Sequence, residues 1–266
     1  MNAALALVFA LTFIVNFITT LFFAVRVAGA RTGRLSSAVA LFNVLILMMR
    51  FATSVQALLL AKHIEQNLQA GSRGDEPAFR VLLLSATIGS IAGALLIPTA
   101  QRMISDAVAG LGIHRSLPRL LRHGLTALRV QHVRDSLRAP SFASVAQLRG
   151  MRDFPVGVAV LYTIAAALLT VGPFASLYAG YYNPPFRMTA NNMSLLINGV
   201  ATVVVLLFTD PFLGVITDDA IEGKMTQGAF RRVIVVFVVA QIVGTVLAQL
   251  LLTPAARLIA WIAERV

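Results

Sequence analysis

The 266 residues include no cysteine, which excludes disulfides, thiolate-held zinc or iron–sulfur clusters and a cysteine nucleophile. Charge is scarce as well. Asp, Glu, Lys and Arg make up 12% of the chain, against about 25% in a typical soluble domain. Acids are scarcer than bases, 11 against 22 Lys and Arg, for a net charge of +11. Enzyme signatures are missing: there is no His-Glu-x-x-His, no Gly-x-Ser-x-Gly and no Walker phosphate loop. The four histidines, His63, His114, His123 and His132, have no ligand spacing and are expected in loops. The acidic run Asp218-Asp219-Ala220-Ile221-Glu222-Gly223 superficially resembles the metal-binding aspartates of lipid phosphotransferases. It lacks their full repeat around an Asp-Gly, so no metal and no cofactor is expected.

What the chain has is apolar length. Hydrophobic residues are 58% and the mean hydropathy is +0.82, which excludes a water-soluble globule, a disordered chain and a collagen-like fibre. A bilayer core of about 30 Å takes about 20 helical residues to cross. Six stretches suffice: Ala3–Val25, Ser36–Ala61, Phe79–Ala100, Pro155–Ala179, Thr189–Ile216 and Val233–Leu252. The first has no basic segment before its apolar run, so it reads as a membrane helix and not as a signal peptide. The expected architecture is an all-α polytopic membrane protein, with residues 1–266 forming a single transmembrane domain.

Basic residues set the expected orientation, since cytoplasmic flanks collect Lys and Arg. With the N-terminus outside, the inner side holds fifteen: Arg26, Arg31, Arg34, nine arginines from Arg102 to Arg152, Lys224, Arg231 and Arg232. The outer side holds six: Lys62, Arg73, Arg80, Arg187, Arg257 and Arg265. Both termini are therefore expected outside the cytoplasmic membrane. The basic connection 102–154 carries Leu117, Leu121, Leu125 and Leu128 at helical spacing between arginines, the pattern of amphipathic helices on the inner leaflet. It has no interleaved aromatics, so membrane lipid is the expected partner and nucleic acid is not. Six spans also divide into two inverted three-helix halves, an arrangement common in transporters. Arg31-Thr32 leading to Asn43 and Arg187-Met188-Thr189 leading to Asn198 occupy corresponding places.

Arg50 lies near the middle of the second span, where an arginine costs about 2.5–3.5 kcal/mol on insertion scales. It shares a helix face with Asn43 and Ser54, at i, i+7 and i+11. Two readings stand: Arg50 lines a polar pathway, or it makes a structural pair, most simply with Asp210. Asp210 is also open to two readings, a carboxylate that exchanges a proton or an interfacial cap. Polar stripes recur as Thr12, Asn16 and Thr19; as Asn191, Ser194, Asn198 and Thr202; and as Gln241, Thr245 and Gln249. The last reads as interhelical hydrogen bonding, whereas the asparagines and Arg50 suggest a wetted cavity. Ser85, Gly89 and Gly93 form a small-xxx-small series for close helix packing, within the chain or across a dimer. Pro173, Pro184-Pro185, Pro211 and Pro254 are expected at helix breaks or boundaries.

Leu21–Lys62 and Val171–Lys224 together resemble the Amj family of bacterial lipid II flippases. The features that carry the resemblance are Val25-Arg26, the loop Arg31-Thr32-Gly33-Arg34-Leu35, Leu41-Phe42-Asn43 and Arg50. Ile197-Asn198-Gly199-Val200-Ala201-Thr202 and the Asp210-Pro211 pair complete them. The resemblance implies transport of lipid II, the undecaprenyl-pyrophosphate-linked disaccharide-pentapeptide of peptidoglycan synthesis, as an alternative to MurJ. It implies no residue-level mechanism. Physical reasoning supplies one: polar headgroups cannot cross hydrocarbon unaided, and the guanidinium fork pairs with phosphate. In this reading Arg26, Arg31 and Arg34 collect the headgroup at the inner face and Arg50 meets the phosphates in mid-membrane. Asn16, Asn43 and Asn198 bond sugar or peptide, and Arg187 meets the head outside. Six helices make a small cavity for so large a head, which leaves room for a homodimer. Competing readings are transport of another polyprenyl-linked lipid, a membrane-embedded lipid phosphatase or phosphotransferase, and a non-transporting envelope-assembly scaffold.

Overall fold

In the computed structural model, residues 3–72, 74–114 and 156–266 are described, and all of their regular structure is helical. Among the described residues seven α-helices follow one another: α1 Ala3–Thr32, α2 Leu35–Gln69, α3 Glu76–His114, α4 Val156–Tyr182, α5 Arg187–Val204, α6 Asp210–Ile221 and α7 Gln227–Ala263. A 3-10 turn, Pro184–Phe186, opens α5, and a π-helical turn, Val205–Thr209, joins α5 to α6. Pro184 through Ile221 thus forms one broken crossing, and among the described residues six helical segments are long and apolar enough to span a membrane. Every expected span is present, and each is longer than its apolar stretch. Hydropathy reports only the hydrocarbon-facing part of a helix, while backbone hydrogen bonding carries the helix on into polar surroundings.

Three readings are corrected. Arg102 lies inside α3, which continues to His114; the loop expected from that point and its amphipathic helices otherwise fall on residues outside those described. Pro173 and Pro254 sit within continuous helices α4 and α7. Of these expected breaks, Pro184-Pro185 and Pro211 do mark boundaries, and at Pro211 the missing N–H and the ring's clash with the preceding turn coincide with the π turn. His63 belongs to α2 and His114 is the last residue of α3, so neither lies in a loop; His123 and His132 fall outside the described residues.

Packing follows one plan twice. α1 lies along α3 and α2; α4 lies along α7 and α5; α3 meets α7 between the two sets. Small residues make these seams. A methyl group added at Gly89 would strike the Phe13 carbonyl oxygen, and one at Gly93 would fall 2.8 Å from the Phe17 carbonyl oxygen. The small-residue series of α3 is therefore used within the chain, against α1. Gly244 does the same for α7 against Ala166 and Thr163 of α4. Without a hydrophobic force between helices in lipid, such close backbone approach supplies the dispersion contact that holds them together.

Two main clusters fill the ends of the bundle. One gathers Val8, Leu60, Ile64, Phe79, Phe174, Tyr178 and Ala260, from the start of α1 and α3 and the close of α2, α4 and α7. The other gathers Phe23, Val27, Leu213, Ile216, Phe230 and Phe237. The first lies at the end where α1 begins and α7 finishes, and the second at the opposite end. Gly33, at φ 65°, ends α1 there in the left-handed conformation glycine adopts without strain.

Candidate functional site

The strongest polar feature of the interior joins α1 to α6. Arg26 Nη2 donates to Asp210 Oδ1 at 2.7 Å. Arg26 is 8% exposed and packs its guanidinium over the Phe22 ring at 5.5 Å, while the Asp210 side chain stays 38% exposed. Beside them Tyr162 of α4 donates to Gln241 Oε1 of α7 at 2.8 Å, with its ring against Phe23 and Phe237. Four helices thus contribute to one polar knot in an otherwise apolar region. Arg26 stands about 9 Å from the end of α1 at 1.5 Å per residue, well inside the bundle. The Arg26 Nε and the Thr209 hydroxyl are buried there without a hydrogen-bond partner among the described residues.

This arrangement revises two expectations. Arg26 is a buried interior cation and not a surface collector, because α1 runs a further turn and a half past it before Arg31 and Arg34 emerge exposed. The partner of Asp210 is Arg26 and not Arg50. What set Arg26 apart from its exposed neighbours Arg31 and Arg34 was only its place within an apolar run, Phe22 to Ala30.

Arg50 is exposed near the middle of α2, and no described residue bonds or pairs with its guanidinium. At about 100° per residue, Asn43, Arg50 and Ser54 fall within about 40° of one another. Leu47, Phe51 and Leu58, all largely exposed, lie just beyond them round the helix. α5 repeats this: Asn191, Asn198 and Thr202 have the same i, i+7, i+11 spacing, and exposed Met188 and Leu195 lie beyond them. Each helix therefore carries a polar stripe with an apolar flank on one side. Asn198 is half-buried against α4, its Oδ1 without a partner among the described residues and 2.9 Å from where a methyl on Gly172 would stand.

The remaining candidates separate. Asn16 is half-buried and donates to the Thr12 carbonyl of its own helix, as Thr12 and Thr19 do to Val8 and Val15. The α1 stripe is largely satisfied internally. Asn43, Arg31 and Arg34 are exposed. Arg187 is exposed at the start of α5, where it donates to the Pro184 carbonyl at 3.3 Å. Gln241 and Gln249 make interhelical hydrogen bonds, to Tyr162 and to the Arg80 carbonyl, as that stripe suggested.

A second polar cluster, not anticipated from the sequence, closes the end where α1 begins and α7 finishes. His63 and Asp75 approach at 2.9 Å, and Asn67 donates to the Tyr181 hydroxyl at 2.9 Å, tying α2 to α4. Its members lie far apart in the chain, and only His63 and Asn67, one turn apart on α2, gave a local signal. A shallow groove of about 330 Å³ between α3 and α7, lined by Arg80, Val81, Leu84, Thr87, Val246 and Gln249, holds none of the expected site residues.

Comparison with known proteins agrees with this membrane architecture. No solved structure matches the chain significantly. A curated relative, Lipid II flippase Amj of Bacillus subtilis (strain 168), is 32% identical over 258 residues, which is 97% of this chain and 96% of the relative. The family model described as Amj, alternate to MurJ, matches residues 11–263. This multi-pass membrane protein belongs to the Amj family.

Proposed function

We propose that the chain is a lipid II flippase, moving the undecaprenyl-pyrophosphate-linked peptidoglycan precursor from the inner to the outer leaflet of a bacterial cytoplasmic membrane. The observation that carries this reading is the match, over nearly the full length of both chains, to a relative bearing that name. The physical layout supports it. A flippase needs a polar track for the headgroup beside apolar surface for the polyprenyl tail, because burying the head in hydrocarbon is prohibitive. The stripe of Asn43, Arg50 and Ser54 on α2 and that of Asn191, Asn198 and Thr202 on α5 pair such a track with apolar flanks.

In this proposal Arg31 and Arg34 gather the headgroup at the cytoplasmic face. Arg50 meets the diphosphate in mid-membrane, Asn43 and Asn198 bond the sugar and peptide, and Arg187 meets the head outside. Asn16 contributes only if it releases the Thr12 carbonyl. Both termini lie outside, as the distribution of Lys and Arg favours. Two inverted halves, α1–α3 and α4–α7, are supported by the repeated packing plan and by the paired stripes.

The test is lipid II exposure on the outer leaflet of bacteria whose own flippase is switched off. Cells would express the wild type, Arg50→Ala or an empty vector. Restored exposure and growth with the wild type, lost with well-expressed Arg50→Ala, is the expected result. Restoration by both would remove Arg50 from the pathway. No restoration by correctly inserted wild type would overturn the reading.

A further inference from the structure

The two helices that carry the polar stripes are held loosely along those stripes and firmly at their ends. From Asn43 to Val55 every residue of α2 is partly or fully exposed, and so is every residue of α5 from Asn191 to Val200. α2 begins against its own half, with Ala38 and Phe42 beside Val25 of α1. It finishes against the other half, where Leu60 and Ile64 share one apolar cluster with Phe174 and Tyr178 of α4. There Asn67 Nδ2 donates to the Tyr181 hydroxyl at 2.9 Å. The fifth crossing is arranged the same way. It begins beside α4 of its own half, with Arg187 against Gly180, and its last part, α6, reaches α1 of the other half. Leu213 packs in one cluster with Phe23 there, and Arg26 bonds Asp210. Twice, then, a stripe-bearing crossing passes over to the first helix of the opposite half, and the two passages lie at opposite ends of the bundle. Inverted halves produce this relation.

The passage at Asn67 is the one suited to part. The seams within each half rest on close backbone approach at Gly89, Gly93 and Gly244. The Asn67–Tyr181 bond is neutral, and water can replace it at small net cost. On release, Asn67 Nδ2 keeps polar neighbours in its own half, His63 Nε2 at 3.1 Å and Asp75 Oδ2 at 3.5 Å, so the amide is not stranded. The α3–α7 seam, bonded through Arg80 and Gln249, joins the halves without α2 and can hold them while α2 moves. A headgroup that follows Asn43, Arg50 and Ser54 along α2 meets this contact next, and packed side chains leave no passage for it. We propose that the α2–α4 contact is the release gate of the headgroup track: closed as described, it shuts the track from the outer face, and α2 parts from α4 at Asn67 and Tyr181 to let the head leave. The α6–α1 contact occupies the corresponding place at the entry end. This inference rests on the flippase reading and assigns its outward step to one helix contact.

Because the chain has no cysteine, the contact can be locked and released selectively. Asn67→Cys with Tyr181→Cys is bridged by a short bis-methanethiosulfonate reagent and freed by a reducing agent, with the bridge verified by mass spectrometry. The readout is lipid II exposure on the outer leaflet of cells whose own flippase is switched off. Tyr162→Cys with Gln241→Cys, replacing a tyrosine–amide contact of 2.8 Å inside one half, receives the same treatment. The cysteine-free wild type controls for the reagents. Bridging the Asn67–Tyr181 pair should lower exposure to the empty-vector level, and reduction should restore it. Bridging the Tyr162–Gln241 pair should leave exposure at its reduced level. Exposure that persists with the first pair bridged, or that is lost equally with either pair bridged, overturns the gate and leaves the flippase reading intact. No exposure from correctly inserted wild type overturns both. If the first variant does not accumulate, Ile64→Cys with Tyr178→Cys, one turn inward on each helix and in the same cluster, decides by the same outcomes.

Discussion

Removing the charge of Asp210 strands a buried cation, and the size of the effect follows from the geometry. With Nη2 and Oδ1 at 2.7 Å, the two charge centres are about 4 Å apart, which is worth about 4 kcal/mol at an effective dielectric constant of 20. The 38% exposure of Asp210 admits solvent screening, which brings the expectation down to about 2 kcal/mol, within the range for hydrogen bonds to charged groups. Asp210→Asn should therefore cost about 2 kcal/mol, since Arg26 remains buried and only weakly compensated. Arg26→Ala also loses the packing of its stem and head on Phe22, but leaves a carboxylate that water can reach. The double variant should be more stable than the two single losses added together, with a coupling energy of about 2 kcal/mol. Unfolding of the detergent-solubilised protein, followed by circular dichroism across the four-member cycle, measures it. A coupling below about 0.5 kcal/mol would refute the view that this pair bears energy across α1 and α6.

Further outcomes follow from the same structure. Gly244→Ala would place a methyl 2.7 Å from Ala166 Cβ and 2.9 Å from the Thr163 carbonyl oxygen, so it should cost about 1–3 kcal/mol by overpacking; thermal unfolding checks it. Gly199→Ala, on a helix face with nothing within 4 Å, should instead be neutral or gain up to about 1 kcal/mol from helix propensity. Tyr181→Phe deletes the bond from Asn67 that ties α2 to α4 and should cost about 1 kcal/mol, seen as faster hydrogen exchange at the close of α2. Arg50→Ala should leave the unfolding temperature unchanged, because no described residue partners its guanidinium, while lipid II exposure in the complementation assay falls.

Linear sequence was enough for the class of fold, for a physical reason. Each crossing must satisfy its own backbone inside lipid, so about 20 apolar residues specify a helix without reference to any partner. The small-residue series of α3 likewise marked a place of close helix approach, although not which helix would approach it. The broken fifth crossing was only half legible: Pro211 announced an interruption, but not that it would take the form of a π turn in one long span. Arg50 could also be read early, since a mid-span charge stands out against its apolar neighbours without any three-dimensional information.

Pairing was decided by tertiary structure alone. Three acids follow one another closely at Asp210, Asp218 and Asp219, and nothing in their order says which reaches a buried base. Arg26 was chosen by the packing of α1 against α6, which brings together residues 184 positions apart; among the described residues no carboxylate pairs with Arg50. Tyr162 with Gln241, and His63 and Asn67 with Asp75 and Tyr181, are likewise products of helices meeting. Hydropathy sets which segments enter the membrane, one helix at a time. Which polar groups then share a site depends on helix rotation and crossing, fixed by contacts such as those at Gly89, Gly93 and Gly244 that no single segment can encode.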